Sequence, residues 1–328
     1  MKFDFIAIGD IVADAFIRLN TADIHTDEAK HRRELCVSYG DKIPYEFVKL
    51  IYAVGNSANA AVSASRLGLK SALVTNQGDD EIGKKNLGSL MRDKVATKYV
   101  ISHPGIISNY HYVLWFEADR TILIKHEKYP YSLPEMEAPK WIYLSSLGEN
   151  ALKFHDVIKR FLSDHPLINL AFQPGTFQIK LGYEKIGGLY KRSKIFFCNK
   201  EEAQMILKTN ESEPKKLMRM LKDLGPEVIV LTDGPAGAYA YNGRTAWFVP
   251  AYPDPAPPYE RTGAGDAFAS TVVAALGLGL PLEKALLWGP INSMSVVQKI
   301  GAQEGLLSRE ELEELLKDAP YGYKLKEI

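Results

Sequence analysis

The sequence predicts an α/β protein built around a mostly parallel central sheet. Six short apolar runs alternate with stretches of helical periodicity, the order expected when helices cover both faces of such a sheet. These runs are residues 5–8, 71–75, 141–145, 167–172, 195–198 and 228–231. The chain has 328 residues, 46% of them hydrophobic, which is enough for one large domain with a substantial core.

Charge and cysteine content exclude several other classes. Forty basic and forty acidic residues cancel, so no basic field indicates nucleic acid or an anionic membrane as partner. Cys36 and Cys198 lie far apart, which suggests neither a disulfide framework nor a cysteine zinc site. The N-terminus enters a strand pattern at once, and the longest apolar run, residues 267–280, is too short to span a bilayer. We therefore expect a cytoplasmic protein.

Two acidic residues follow the first predicted strand. Residues 5–8 end at Gly9 and Asp10, and Asp14 comes four residues later. Because ligands of α/β sheets bind beyond the carboxyl ends of the strands, Asp14 is a candidate site residue. A turn residue is the alternative interpretation.

A peripheral excursion and a hairpin interrupt the alternation. Residues 15–50 have weak periodicity, with a mixed-charge stretch at 25–34 and one predicted strand at 35–39. Residues 108–116 and 121–127 form the clearest predicted hairpin, joined by residues 117–120. It carries the aromatic residues Tyr110, Tyr112, Trp115 and Phe116. Ordinary β propensity explains aromatic residues in strands, and a binding surface is the other interpretation.

Residues 263–266, with the sequence Gly-Ala-Gly-Asp, predict the anion-binding start of a helix over 264–280. Gly263 and Gly265 lack a Cβ, so the backbone can turn tightly and direct successive N–H groups at a ligand. The first-turn amides of a helix have no partner within it, and an anion satisfies them. Asp266 could take the proton of a hydroxyl that attacks a phosphoryl group. A glycine-rich loop opening an ordinary helix is the alternative.

These four residues resemble the signature of the ribokinase-like (PfkB) family of carbohydrate and nucleoside kinases, usually Asp-Thr-x-Gly-Ala-Gly-Asp. Further segments resemble the family in the same order, from Ile6 to about Leu315. They are residues 53–61 (for Gly-Gly-x-x-x-Asn-x-Ala), 66–68, 78–83 (Gly-Asp-Asp-x-x-Gly), 199–202 (Asn-x-x-Glu), 232–237 (Thr-x-Gly-x-x-Gly), 292 and 301–302. The shared order makes the resemblance more specific than any single motif.

The resemblance implies a fold and an activity. The fold would be a ribokinase-like three-layer sandwich, a single kinase domain over residues 1–328 with a small β lid formed by about 15–50 and 106–128. The activity would be ATP-dependent transfer of the γ-phosphoryl group to a hydroxymethyl group of a sugar or related carbohydrate, with Mg²⁺ as cofactor. The lid would close over the substrate and exclude water. Its aromatic faces suggest one side for substrate and one for a partner subunit, as in a homodimer.

The resemblance also assigns residues. Asp266 would be the general base, with Gly263, Ala264 and Gly265 holding developing charge. Substrate hydroxyls would be bound by Asp14, Gly55 and Asn59, the nucleotide by Thr232, Gly234, Gly237 and Asn292, and magnesium by Asn199 and Glu202. The residues alone leave other interpretations open. Asn59 is also typical of an N-cap or a solvated helix position, Asn199 with Glu202 of an ordinary helix start, and Asp79 with Asp80 of helix capping rather than a metal site.

The sequence departs from the family pattern at four positions. Glu260 and Arg261 replace the usual Asp-Thr, Val54 replaces a glycine, and Gln173 stands where the family has Asp or Asn. Many members bind a monovalent cation beside this loop. Our hypothesis is that the Arg261 guanidinium replaces part of that cation's electrostatic role, by pairing with Glu260 or by facing the phosphates. The alternative is that Arg261 points to solvent.

Two other functions compete with a sugar kinase. A nucleoside kinase of the same fold would offer ribose hydroxyls to Asp14 and Asn59, and lid aromatics could stack a base. A catalytically silent small-molecule-binding paralogue is suggested by the changes at Glu260, Arg261 and Gln173. Retention of Asp266 and both glycines of its motif argues against the silent paralogue.

Overall fold

The strands build two main sheets in the computed structural model, which describes residues 2–27, 32–117 and 119–328. The strands are β1 (Phe5–Ile8), β2 (Val12–Leu19), β3 (Asp23–Asp27), β4 (Arg32–Cys36), β5 (Tyr45–Val54), β6 (Ser71–Gly78), β7 (Val100–His103), β8 (Tyr110–Phe116), β9 (Asp119–Leu123), β10 (Trp141–Leu144), β11 (Asn169–Phe172), β12 (Ser193–Asn199), β13 (Val228–Thr232), β14 (Ala238–Tyr241), β15 (Ala246–Val249) and β16 (Lys326–Glu327). The α-helices are α1 (Asn56–Arg66), α2 (Glu81–Arg92), α3 (Leu152–Asp164), α4 (Thr176–Leu181), α5 (Tyr183–Arg192), α6 (Lys200–Leu207), α7 (Pro214–Asp223), α8 (Ala264–Gly277), α9 (Leu282–Val296) and α10 (Arg309–Lys317).

The central sheet has ten strands in the order β16-β15-β14-β13-β12-β11-β10-β1-β6-β7. The strands from β13 to β7 pair in parallel, and β14, β15 and β16 extend the sheet antiparallel. All six predicted apolar runs lie in this sheet, which confirms the predicted class. The sequence analysis missed β7, an edge strand whose residues are mostly half-buried.

Helices cover both faces of the central sheet. Alternate residues of β1 show this, because successive side chains of a strand point to opposite faces. Phe5 and Ala7 pack in a core with α1, α8 and α9, whereas Ile6 and Ile8 pack in a second core with α3, α5 and α7. The three-layer arrangement is therefore confirmed. Among the described helices, none is both long and apolar enough to cross a membrane.

A smaller second sheet has the strand order β5-β2-β8-β9. It contains the predicted hairpin, which is confirmed as β8 and β9, with residues 119 and 120 belonging to β9 rather than to the turn. The strand predicted at 35–39 is displaced towards the N-terminus, because β4 covers Arg32–Cys36. Part of the mixed-charge stretch, residues 28–31, lies outside the described residues. The long strand β5 was not predicted, since its half-exposed residues lack a clear alternation of apolar and polar positions.

The predicted helix starts agree with the structure. Helix α8 begins at Ala264 but ends at Gly277, three residues before the predicted end. Asp80 caps α2 by accepting a hydrogen bond from Gly83 N at 2.8 Å, as the capping interpretation required. The helix starts thus lie at the carboxyl edge of the central sheet, where site residues were expected.

Candidate active site

The Asp266 carboxylate lies in the first turn of α8 and accepts hydrogen bonds from three side-chain amides. Asn56 Nδ2 and Gln173 Nε2 donate to Oδ1 at 2.9 and 3.3 Å, and Asn59 Nδ2 donates to Oδ2 at 2.9 Å. These bonds come from two elements, the start of α1 and the loop after β11. They fix the orientation of the carboxylate, and among the described residues they leave Oδ2 with a single donor.

Other groups orient two of these amides. The Tyr143 hydroxyl donates to Gln173 Oε1, which turns the Gln173 amino group towards Asp266. Gln303 Nε2 donates to Asn59 Oδ1 at 2.9 Å, which does the same for Asn59. Burial and the nearby Asp266 charge raise the pKa of Tyr143 well above its ordinary value, so this phenol stays protonated as a donor. The Asp266 carboxylate is therefore held by a network with defined donor directions.

Burial raises the pKa of Asp266 above its ordinary value. The three amide donors and the positive charge of Arg120 oppose the rise. A carboxylate whose pKa is raised in this way is a better proton acceptor than an exposed aspartate.

The backbone before Asp266 has the shape that its glycines predict. Gly263 adopts φ +84°, and a Cβ there would lie 2.3 Å from the Ala302 Cβ, so only glycine fits. A Cβ on Gly265 would instead meet open space. The first hydrogen bond into the helix runs from Ala267 N to Gly263 O, which leaves the amides of Ala264 and Gly265 ahead of it. An open, amide-rich surface thus lies beside Asp266.

Two cavities meet at this surface. One, of about 320 Å³, is lined by Asp266, Asn199, Glu202 and Arg120 among others. The other, of about 290 Å³, is lined by Thr232, Gly234, Gly237, Pro290 and Ser293 among others. Thr232, Arg261, Ala264 and Gly265 line both. Three of the four predicted nucleotide residues therefore lie in one cavity that adjoins Asp266.

Asn292, the fourth predicted nucleotide residue, lies elsewhere. It is fully buried, its Nδ2 donates to Thr271 Oγ1 at 2.7 Å, and its Oδ1 accepts from Leu307 N at 2.9 Å. The prediction that Asn292 binds the nucleotide was wrong, because its side chain points into the protein. The next residue of α9, Ser293, lines the cavity instead. Asn292 joins α8 to the loop before α10.

Asn199 and Glu202 form a reciprocal cap at the start of α6. Asn199 Oδ1 accepts from Glu202 N at 2.7 Å, and Glu202 Oε2 accepts from Asn199 N at 2.9 Å. Burial and the charge of Asp266 raise the pKa of Glu202. The pair therefore has the helix-start role that its spacing also allowed, while both side chains line the Asp266 cavity.

The predicted substrate residues lie at the boundary of the two sheets. Asp14 is 8% exposed in β2, opposite His111 of β8. Gly55 has φ +106°, and a Cβ there would lie 2.8 Å from the Asp10 carbonyl oxygen, so the turn into α1 needs glycine. Asn59 lies one turn further along α1 and contacts Asp266 directly. The structure thus joins Asn59 to Asp266, places Gly55 beside the Asp10 backbone and places Asp14 beside His111.

The loop before α8 corrects the predicted pairing of Arg261 with Glu260. Glu260 is fully buried; its Oε1 accepts from Thr262 N at 2.7 Å and its Oε2 from Gly301 N at 3.3 Å. The cation that contacts it is Arg120 of β9, with Nε 3.7 Å from Oε1. Arg261 is exposed, and its charge opposes the rise that burial causes in the pKa of Asp254. Because Arg261 also lines both cavities, the other predicted role, facing the phosphates, stays a prediction.

Sequence reasoning missed Asn56 and Arg120, and it discounted Gln173. Asn56 begins α1 beside the predicted Gly55, so a polar residue at that helix start was the available signal. Arg120 was interpreted as part of a turn. Its contact with Glu260 is made between a strand of the second sheet and a loop far along the chain, which no local pattern indicates.

Comparison with known proteins identifies the family of the chain. The sequence model described as pfkB family carbohydrate kinase matches residues 50–309. The chain is 26% identical to ribokinase of Bacillus subtilis over 268 residues, covering 80% of this chain and 87% of that protein. It is 25% identical to ATP-dependent 6-phosphofructokinase of Thermoanaerobacterium thermosaccharolyticum over 322 residues, covering 92% and 90%.

Solved structures show the same fold. Ribokinase of Arabidopsis thaliana, complexed with ribose and ATP, superposes with a TM-score of 0.77 at 18% identity, covering 97% of this chain and 99% of that one. The fold is therefore ribokinase-like. The family match extends over most of the chain and includes the glycine-rich start of α8 and the carboxylate behind it. The chain belongs to the pfkB family of carbohydrate kinases and is a phosphotransferase with an alcohol group as acceptor.

Proposed function

We propose that this protein transfers the γ-phosphoryl group of ATP to a hydroxymethyl group of a sugar or related carbohydrate. The observation that supports this most strongly is the position of Asp266, a carboxylate of raised pKa beside the open amides of Ala264 and Gly265. A base and an anion-binding surface side by side are what phosphoryl transfer to a hydroxyl requires.

Asp266 takes the proton of the attacking hydroxyl. Among the described residues, Oδ2 has one donor, Asn59 Nδ2. It therefore retains a lone pair that can accept the hydrogen of the substrate hydroxyl. As the acceptor oxygen forms its bond to the γ-phosphorus, the bond from that phosphorus to the β–γ bridging oxygen breaks. ADP leaves with the bonding electrons, and the proton stays on Asp266.

The start of α8 stabilises the charge that develops on the transferring group. The amides of Ala264 and Gly265 precede the first intrahelical hydrogen bond and line both cavities. The nucleotide would occupy the cavity of Thr232, Gly234 and Gly237, with its phosphates towards Gly265. An added side chain at Gly265 would fill that space, whereas Gly263 serves the turn itself.

Magnesium fits the oxygen-rich wall of the Asp266 cavity. Asn199 and Glu202 would hold it, although each gives one oxygen to the cap of α6. The described residues contain no group of three or more His, Cys, Asp or Glu side chains able to hold a metal, so contacts through water are expected. Bound magnesium would neutralise phosphate charge, and it would relieve the mutual repulsion of Glu202 and Asp266.

The acceptor would bind between the central sheet and the second sheet. Asp14 and Gly55 border this boundary, and Asn59 connects it to Asp266. The second sheet would then act as the lid, and its closure would keep water from accepting the phosphoryl group.

A screen for ADP release tests the proposal. The native protein with MgATP is supplied with pentoses, hexoses, sugar acids, sugar phosphates and nucleosides, and each product is identified by mass. A sugar as the best acceptor supports the proposal. A nucleoside preferred by its kcat/KM would replace it with a nucleoside kinase. Absence of transfer to every acceptor, with ATP and acceptors still bound in calorimetry, would support the silent paralogue.

We also propose a homodimer through the outer face of the second sheet. Leu50 of β5, Tyr112 of β8 and Leu123 of β9 lie in one row across the sheet and are 47%, 49% and 52% exposed, with the buried Ala15 of β2 between Leu50 and Tyr112. Large exposed apolar residues grouped on one face of a sheet mark protein interfaces. Light scattering should give a dimer for the native chain and a monomer for Leu50→Lys; a monomeric native chain would refute the dimer.

A further inference from the structure

Four titratable side chains form a row between the central sheet and the second sheet, here called the Asp–His row: Asp10, His126, His111 and Asp14. His126 Nδ1 lies 3.0 Å from Asp10 Oδ2, and His111 Nδ1 lies 3.3 Å from Asp14 Oδ1. The two imidazoles face each other with their Nε2 atoms 3.3 Å apart. The side chains of Asp10 and Asp14 are 2% and 10% exposed, and those of His111 and His126 are 12% and 14% exposed. The row is thus enclosed but reachable.

The Asp–His row holds more hydrogen-bond acceptors than donors. A carboxylate beside each Nδ1 favours the tautomer with hydrogen on Nδ1, which makes both Nε2 atoms acceptors. In that tautomer neither Nε2 has a hydrogen to donate to the other, and two of the four side chains in the row are carboxylates. The Tyr131 hydroxyl donates to Asp10 at 2.8 Å. Asp14 Oδ1 is buried and has no hydrogen-bond partner among the described residues, because its contact with His111 is not aligned as one.

The position of the row connects it to acceptor binding. Asp14 and His111 are register partners on β2 and β8, so their side chains lie on the same face of the second sheet. That face is opposite the one that carries Leu50 and Tyr112, since Asp14 and Ala15 alternate. At the other end, the backbone of Asp10 closely approaches Gly55. Of the proposed substrate residues, Asp14 therefore belongs to the row and Gly55 borders it.

We propose that the Asp–His row binds an uncharged, hydroxyl-rich part of the acceptor and rejects acceptors that place a carboxylate or phosphate there. This inference rests on the proposed function and specifies its substrate class. Substrate hydroxyls supply the donors that Asp14 Oδ1 and the Nε2 atoms lack. An anion brings only further acceptors to a buried place that already holds two carboxylates, where neither its charge nor its desolvation is compensated. His111 and His126 are then specificity-determining residues.

A purely structural role is the rival explanation. The row joins a residue that follows β1 to residues of the second sheet, so it could serve only to hold the sheets together. In that case, substitutions would lower the free energy of unfolding and reduce activity towards every acceptor by the same factor. The two roles therefore differ in acceptor selectivity.

The experiment measures kcat and KM for acceptors in matched uncharged and anionic pairs, such as fructose with fructose 6-phosphate and glucose with gluconate. The native enzyme is compared with His111→Gln and His126→Gln. His165→Gln is the control, because His165 lies at the end of α3 and bonds Phe161 O. Thermal unfolding is followed for all four proteins.

We expect the native enzyme to prefer the uncharged member of its best pair by about 100-fold in kcat/KM. His111→Gln and His126→Gln should raise the acceptor KM about tenfold and leave the KM for ATP unchanged. They should also reduce the preference for uncharged over anionic acceptors in kcat/KM, since glutamine offers N–H donors to an anion. If the native enzyme prefers anionic acceptors, the inference is overturned but the proposed function is not. The same holds for an equal loss for all acceptors with lower thermal stability. No transfer to any acceptor overturns the proposed function, and the inference with it.

Discussion

The start of α8 and the Asp–His row both present a carboxylate to the proposed acceptor, but the chain specifies them differently. At α8, the turn, the open amides and Asp266 all come from four consecutive residues. The Asp–His row takes its members from β2, β8 and the segments that follow β1 and β9. A site made from consecutive residues is set by local backbone geometry, whereas the row depends on strand pairing. We expect substitutions at α8 to affect catalysis and those at the row to affect selectivity.

The largest effect is expected for Asp266→Asn. The amide keeps the shape of the side chain but cannot take the proton, so kcat should fall about 100- to 10,000-fold. Thermal stability and nucleotide affinity, measured by calorimetry, should remain close to native. A variant that keeps most of its kcat would show that Asp266 is not the base.

Substitutions of the two glycines in the same turn should distinguish the need for a backbone conformation at Gly263 from the need for ligand space at Gly265. Gly263→Ala places a Cβ at positive φ and 2.3 Å from Ala302 Cβ, so it should lower the free energy of unfolding by about 1–3 kcal/mol and reduce kcat. Gly265→Ala meets open space and should unfold like the native protein, yet lose about tenfold in kcat/KM for ATP. Native kinetics in Gly265→Ala would argue against phosphate binding at this amide.

Asp14→Ala should affect the acceptor side alone. Its loss removes a buried hydrogen-bond acceptor for substrate hydroxyls, so kcat/KM for the best acceptor should fall about 10- to 100-fold. ATP binding, measured by calorimetry without acceptor, should not change. If binding of the acceptor and of ATP weakened equally, Asp14 would have a role in folding. The start of α8 and the Asp–His row would then not differ in the expected way.

The smallest effect concerns monovalent cations. Arg120 already contacts Glu260, so potassium should stimulate the native enzyme less than about tenfold over a bulky organic cation at equal ionic strength, about 1.4 kcal/mol in the barrier. Stimulation should increase in Arg120→Gln and increase less in the control Arg261→Thr. Strong potassium stimulation of the native enzyme would show that Arg120 does not take over a cation's role.

The limits of sequence reasoning follow the same division. The six central strands and the start of α8 were predictable because apolar runs and glycines act locally. The direction of Asn292 was not, since neighbouring positions of a helix that is buried on most sides face different surroundings. Arg120 and the Asp–His row depend on register between distant strands, and β5 lacked the alternation that would have added it to the predicted hairpin. For such residues the identity was visible in the sequence, but the neighbours were not.

Asp10 follows a strand of the central sheet, whereas Asp14 lies in a strand of the second sheet. A molecule bound along the Asp–His row therefore contacts two parts of the protein that meet at a boundary. Binding of the acceptor would then also fix the position of the second sheet relative to the central sheet. A molecule that lacks the right hydroxyls would bind more weakly, and it would also be phosphorylated more slowly because it would not fix the two sheets in position. The enzyme would then discriminate between acceptors by the rate of phosphoryl transfer as well as by affinity.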